Sequence, residues 1–148
     1  MKVFISHAYT DQPLVRKVAA ALEGVGLEVW DATRDVSPGD SWPDKVAQAL
    51  SDSDAMVVVL TADALRSSWV LKEIEFALSE QSYRGRLIPV LVRDPEALHK
   101  EDIPWILRRL RMINMGEYDE EEEGINQIVT TLLENDITNP PSTSASIN

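Results

Sequence analysis

The stretch Asp54-Ala-Met-Val-Val-Val-Leu60 decides the architecture. It is a continuous β-branched and apolar run with no polar alternation, too short for a core helix. A run of this kind predicts a strand buried on both faces, which occurs where helices cover both sides of a parallel sheet. Working outward, KVFIS (2–6) predicts the first strand and LEVW (27–30) the second. Between them LVRKVAAALEGVG (14–26) repeats Leu14, Val18 and Leu22 at a spacing of four, a helix face stopped by Gly24 and Gly26. DATRDVSPGDS (31–41) reads as a long loop turning at Pro38-Gly39, and WPDKVAQALSD (42–52) as a helix with Pro43 in its first turn. Beyond 60, TADALRSS (61–68) reads as a loop and SSWVLKEIEFAL (67–78) as a helix. RLIPVLV (86–92) is a strand that Pro89 demotes toward an edge or a bulge. IPWILRRL (103–110), RMINM (111–115) and EGINQIVTTLLEN (123–135) read as a short helical piece, a weak last strand and a closing helix. Strand and helix alternate throughout, so the expected fold is α/β: a flavodoxin-like, three-layer arrangement of five parallel strands in the order 2-1-3-4-5. Residues 1–134 form the expected domain, and 135–148, with the Pro/Ser/Thr-rich NPPSTSASIN, a disordered tail or linker.

Composition removes several function classes. The 148 residues contain no cysteine and two histidines, which excludes thiolate chemistry and disfavours a histidine metal site, so no metal is expected. The net charge is −11, and six of those charges sit in the acidic run 117–123. A nucleic-acid binder or a protein docked on anionic lipid needs a basic face, and none is evident. No apolar run reaches the roughly 20 residues of a membrane span, and the start MKVFISHAY lacks the plan of a secretory signal. A soluble cytoplasmic protein without nucleic-acid or membrane partners is the expectation.

Ligands of such sheets bind beyond the carboxyl ends of the strands. Three loops leave those ends: SHAYTD (6–11), DATRDVSPGDS and TADALRSS. The third delivers Trp69 and Glu73 on the first turns of its helix. At about 100° per residue, Val70, Leu71, Ile74, Ala77 and Leu78 make one apolar arc, and Glu73 falls at its border. A glutamate on a helix is usually solvated. The border position, the tryptophan one turn earlier and the sheet rim together favour a partly desolvated carboxylate facing a cleft.

Three of these segments, taken in order, resemble a Toll/interleukin-1 receptor (TIR) domain of the bacterial kind, over about residues 2–133. VFISHAYTD (3–11) is similar to the first family box, RDVSPGDSW (34–42) to the second, and SSWVLKE (67–73) to the Ser-x-Trp-x-x-x-Glu signature of TIR domains that cleave NAD⁺. The resemblance implies NAD⁺ as substrate rather than bound cofactor. It implies release of nicotinamide with formation of ADP-ribose or a cyclic isomer, and Glu73 as the catalytic carboxylate. Ser6, His7 and Ala8 would line the nicotinamide side, Trp69 would wall the pocket or support Glu73, and Arg34, Ser37 and Gly39 would belong to a loop that covers the pocket or meets a neighbouring subunit. Arg34 would meet a phosphate, or else pair with Asp31 or Asp35. The third family box is poorly matched around Trp105. Self-association through TIR–TIR contacts, a separate effector that senses the product, and a place in bacterial antiphage defence are further implications. The alternative from another class is a non-catalytic adaptor that binds other TIR domains. No Gly-rich phosphate loop follows the first strand, which excludes hydride-transfer dinucleotide binding. FISHAY and VVVLTA also lack the acids that a phosphoryl-accepting receiver domain needs.

Overall fold

A computed structural model describes residues 1–83, 85–92, 98 and 100–138. Five strands, β1 (Lys2–Ser6), β2 (Glu28–Trp30), β3 (Ala55–Leu60), β4 (Leu87–Leu91) and β5 (Ile113–Asn114), form one parallel sheet in the order β2-β1-β3-β4-β5, as the alternation of segments predicts. Phe4 pairs with Trp30 on one side and Met56 on the other. Every residue of β3 is buried. Its side chains alternate between two cores, which is why its sequence shows no polar period. Ala55, Val57 and Val59 join Val3, Ile5, Ile88 and Val90 against α1 (Gln12–Gly24) and α7 (Glu121–Thr138). Met56, Val58 and Leu60 join Phe4 and Leu87 against α3 (Trp42–Asp52) and α5 (Ser68–Ser79).

The helix ends follow their sequence signals. α1 stops in a Schellman motif: the Leu27 amide donates to the Leu22 carbonyl and the Gly26 amide to that of Glu23, with Gly26 at φ +90°. Pro38-Gly39 turns the chain, with Gly39 at φ +93° and the Asp40 amide donating to the Ser37 carbonyl.

Several expectations are corrected. The loop 31–41 opens with a single helical turn, α2 (Ala32–Asp35), because the Asp31 carboxylate accepts the Thr33 amide as an N-cap. The loop after β3 contains α4 (Ala62–Arg66), capped in the same way by the Thr61 hydroxyl. Pro89 lies within β4, an interior strand, not on an outer strand of the sheet. It is tolerated because β5 pairs only with Val90 and Leu91, so at Pro89 the strand has a partner on one side only. α6 is one turn, Trp105–Arg108, and leaves Trp105 65% exposed. The closing helix continues to Thr138, and the tail 139–148 lies outside the described residues. Among the described residues no helix is long and apolar enough to cross a membrane.

Candidate active site

The carboxyl end of β1, the turn α2, the start of α3 and the first turns of α5 enclose a pocket of about 220 Å³. α5 is capped by Ser67, whose hydroxyl accepts the Val70 amide, and this cap fixes the phase of the helix over the rim. The buried arc is Val70, Glu73, Ile74 and Ala77, while Leu71 and Leu78 are 40% and 41% exposed. The apolar face is therefore rotated from the arc the residue types suggest. Glu73 sits inside it, not at its border, and is only 6% exposed.

Depth has an electrostatic consequence. Burial drives the Glu73 carboxyl up to about 7, against the opposing pull of the Ser6 hydrogen bond and the charge of His7. Ser6, the last residue of β1, donates its hydroxyl to Oε1 at 2.7 Å. Near neutral pH the site therefore holds a carboxylate poised between its two forms. One oxygen is fixed by a hydroxyl, and the group lines the hollow.

The β1 end supplies the opposite wall. His7 lies in the pocket lining with Nδ1 at 2.7 Å from the Ala8 carbonyl oxygen and Nε2 at 2.7 Å from Asp31 Oδ1. Burial lowers the imidazole's proton affinity, but the bonds to Asp31 and Ala8 and the Asp31 charge outweigh it, and the pKa ends above the ordinary value. Burial likewise raises Asp31, and the His7 bond and charge with the two Thr33 donors bring it below the carboxylate range.

The mouth is aromatic. Trp69 and Trp42 meet edge to face with centroids 6.4 Å apart, and the Lys72 ammonium lies 5.5 Å from the Trp69 ring centre. Tyr9 completes this rim and is 76% exposed.

Of the residues singled out from the sequence, the structure gathers His7, Ala8, Trp69 and Glu73 around one pocket, with Ser6 bonded to Glu73 beneath it. Arg34, Ser37 and Gly39 are exposed and do not line it. The Arg34 guanidinium is occupied by Glu23 at 3.1 Å, Asp35 at 3.2 Å and the Val29 carbonyl at 2.7 Å, and Arg34 meets Asp31 only through its amide, which donates to the Asp31 carbonyl. Asp31, Thr33, Trp42 and Tyr9 belong to the site and were not singled out. An Asp directly after a strand, at the start of a polar segment, is a capping signal that would have drawn attention to Asp31. Among the described residues no group of acids and histidines is placed to hold a metal.

Chemically, this is a one-carboxylate site. Asp31 is committed to His7 and Thr33, and among the described residues no second acid lines the pocket opposite Glu73, as ordinary glycoside hydrolysis requires. The arrangement suits stabilisation of a developing cation whose leaving group departs without protonation.

Known proteins bear on this geometry. The TIR-domain family model matches residues 3–129, and the chain belongs to the TIR-domain family. The NAD(+) hydrolase PdTIR of Paracoccus denitrificans (strain Pd 1222) is 35% identical over 91 residues, covering 60% of this chain and 30% of that protein. The 2′ cyclic ADP-D-ribose synthase AbTIR of Acinetobacter baumannii (strain 1295743) is 30% identical over 87 residues, covering 58% of this chain and 32% of that protein. The matched part is thus about a third of the length of these relatives. Among solved structures, the TIR domain of the Toll-related receptor TRR-2 of Hydra magnipapillata superposes with a TM-score of 0.68 at 22% identity, covering 93% of this chain and 98% of that one, a likeness of fold.

Proposed function

We propose that this TIR domain cleaves the N-glycosidic bond of NAD⁺ and releases nicotinamide. The observation that carries this reading is the buried Glu73 carboxylate, bonded to Ser6 and lining a pocket with an aromatic mouth. The nicotinamide nitrogen of NAD⁺ is already cationic. When the C1′–N bond breaks, the electron pair returns to that nitrogen and nicotinamide leaves neutral, so no general acid is needed. Positive charge passes to the ribose as an oxocarbenium-like centre. A carboxylate in a water-poor pocket stabilises it strongly, because its field is little screened there. Trp42, Trp69 and Tyr9 supply flat surface for the planar groups of the substrate. Capture of C1′ by water, which then loses a proton, gives ADP-ribose; capture by a nucleophile of the same molecule gives a cyclic isomer. The names of the Paracoccus and Acinetobacter relatives span both outcomes and support the reaction class.

In this reading activity depends on self-association through TIR–TIR contacts, with the second loop of one subunit completing the site of another, and the dilute monomer is weakly active. The exposed positions of Arg34, Ser37 and Gly39, away from the pocket of their own chain, support that arrangement. The domain would act in the cytoplasm in bacterial antiphage defence, either by exhausting NAD⁺ or by making a product that a separate effector senses.

The test is chromatography of concentrated protein incubated with NAD⁺, with Glu73→Ala alongside. Nicotinamide release by the wild type alone is the expected result. Silence from both, even under crowding, leaves a non-catalytic TIR–TIR adaptor. Release that survives in Glu73→Ala assigns the chemistry to another residue.

A further inference from the structure

We infer that Asp31 is a positioning residue of this site: acting through His7, which it holds doubly protonated, it places a fixed positive charge at the pocket that favours the ionised form of Glu73. As a statement about turnover this rests on the NAD⁺-cleaving reading; as a statement about charge it does not.

The geometry leaves little choice of protonation. The Ala8 carbonyl oxygen can only accept, so the imidazole nitrogen 2.7 Å away, Nδ1, carries a proton. The other nitrogen lies 2.7 Å from Asp31 Oδ1. That oxygen already accepts the Thr33 amide at 3.1 Å and the Thr33 hydroxyl at 2.9 Å. An oxygen gathering donors in this way is a carboxylate oxygen, not a protonated one, so Nε2 donates to it. Both nitrogens are donors, and the ring is an imidazolium. The pair is shielded, with side-chain exposures of 3% for His7 and 2% for Asp31, so its charges act at close range with little screening.

Asp31 is held in place independently of His7. It follows Trp30, whose ring stacks on Phe4 at 5.1 Å, and Trp30 pairs with Phe4 in the sheet. Its amide donates to Asp35 Oδ2 at 2.9 Å. The end of β2 is thus pinned beside the end of β1, and the carboxylate meets the imidazole from a rigid base. Among the described residues, the charges that act on His7 are Asp31, from the β2 end, and Glu73, from α5, and the charge that acts on Glu73 is His7, from the β1 end. The attraction between His7 and Glu73 lowers the proton affinity of Glu73 against the upward push of burial. Asp31 Oδ1 takes its bonds from His7 and Thr33, and the residue does not line the pocket, so its influence passes through the ring.

The test is Asp31→Asn, with His7→Gln as a second variant that removes the ring and leaves the Asp31 cap. All three bonds fall on Oδ1, so an asparagine offers either its oxygen to Thr33 or its N–H to a bare Nε2, and in either case the carboxylate charge that stabilises the imidazolium is removed. Imidazole nitrogen shifts and the Glu73 carboxyl carbon are followed by NMR against pH, beside a pH profile of nicotinamide release. Expected are two protonated His7 nitrogens at pH 7 in the wild type and one in Asp31→Asn. The Glu73 midpoint should rise by about one pH unit in either variant, the low end of what a neighbouring charge does. The acid limb of the activity profile should move with it, a loss of roughly tenfold at pH 6 that shrinks above pH 9. A neutral His7 in the wild type at pH 7, or a uniform loss of activity with an unmoved Glu73 midpoint, overturns the inference. A wild type that releases no nicotinamide at any pH sinks the NAD⁺ reading instead, and the two NMR midpoints then decide the charge assignment alone.

Discussion

The two rims of the sheet make an instructive pair. At the carboxyl rim a pocket of about 220 Å³ has Glu73 in its wall. At the amino rim a larger hollow, about 310 Å³, opens between the end of α5, the start of β4 and α7. Each rim also buries an ionisable side chain. Arg86, just before β4, is 5% exposed, and its Nε and Nη2 have no hydrogen-bond partner among the described residues. The difference lies in aim. Glu73 lines its pocket, is delivered by a capped helix and is bonded to Ser6. Arg86 does not line the hollow near it, and the charged residues that do, Glu80 and Arg111, are exposed and solvated. The one phenol in the hollow's wall, Tyr83, is tied to the Leu50 carbonyl at 2.6 Å. Volume is therefore a poor guide in this molecule. What marks a site is a desolvated charge turned into the space with a partner fixing its orientation.

The sharpest way to break that contrast is Glu73→Gln. Nicotinamide release is expected to fall by about 10³-fold, the upper range for removing an electrostatic stabiliser. Stability moves the other way. The folded-state pKa of about 7 lies above the ordinary 4.5, so the protonated form favours the folded protein. That contribution is complete below the unfolded value and is lost as pH rises through about 7. At pH 8 the ionised group costs up to about 3 kcal/mol, and the glutamine variant should melt about 5 °C higher by calorimetry at that pH. A lower Tm at pH 8 would mean the carboxylate is not strained by its burial. A pH profile of the wild type sharpens the same point. Activity should fall about tenfold for each pH unit below about 7, as Glu73 takes up its proton, and level off above. Trp42→Ala tests the aromatic mouth. KM should rise about tenfold, in line with the loss of one aromatic contact, with kcat changed less and Tm shifted by no more than about 2 °C, since Trp42 is 36% exposed. The smallest effect is expected at the other rim. Arg86→Met should leave nicotinamide release within about twofold and raise Tm by about 2 °C by removing an uncompensated buried guanidinium. A severalfold loss of activity there would place the amino rim in the site and undo the comparison.

Much of the architecture was legible because it is written in local periodicity. The unbroken β3 run announced a strand covered on both faces, Gly24 is the last residue of α1, and the glycines at 26 and 39 fall where the chain turns. The one-turn helices α2 and α4 were not legible, since each rests on a single cap inside a polar segment rather than on a periodic face. Pro89 misled because its tolerance depends on how short β5 is, a property of another segment. At the site, the position of Glu73 could be read from its spacing to Trp69, but its depth could not. A wheel drawn from residue types places the carboxylate beside the apolar arc. The actual arc is set by packing on β1 and β3, and the Ser6 hydroxyl, 67 positions away in the chain, makes the burial tolerable. The His7–Asp31 pair is likewise a product of strand register across 24 positions, invisible to any local pattern.

The sheltering of Glu73 has a practical corollary for anyone who improves this chain. A library ranked by heat resistance would enrich replacements at position 73 first, because neutral side chains of similar shape relieve the most costly charge. The fittest survivors of such a selection would be well-behaved, soluble and inert. Endurance and turnover therefore have to be screened together in this scaffold, since at this one position they pull in opposite directions.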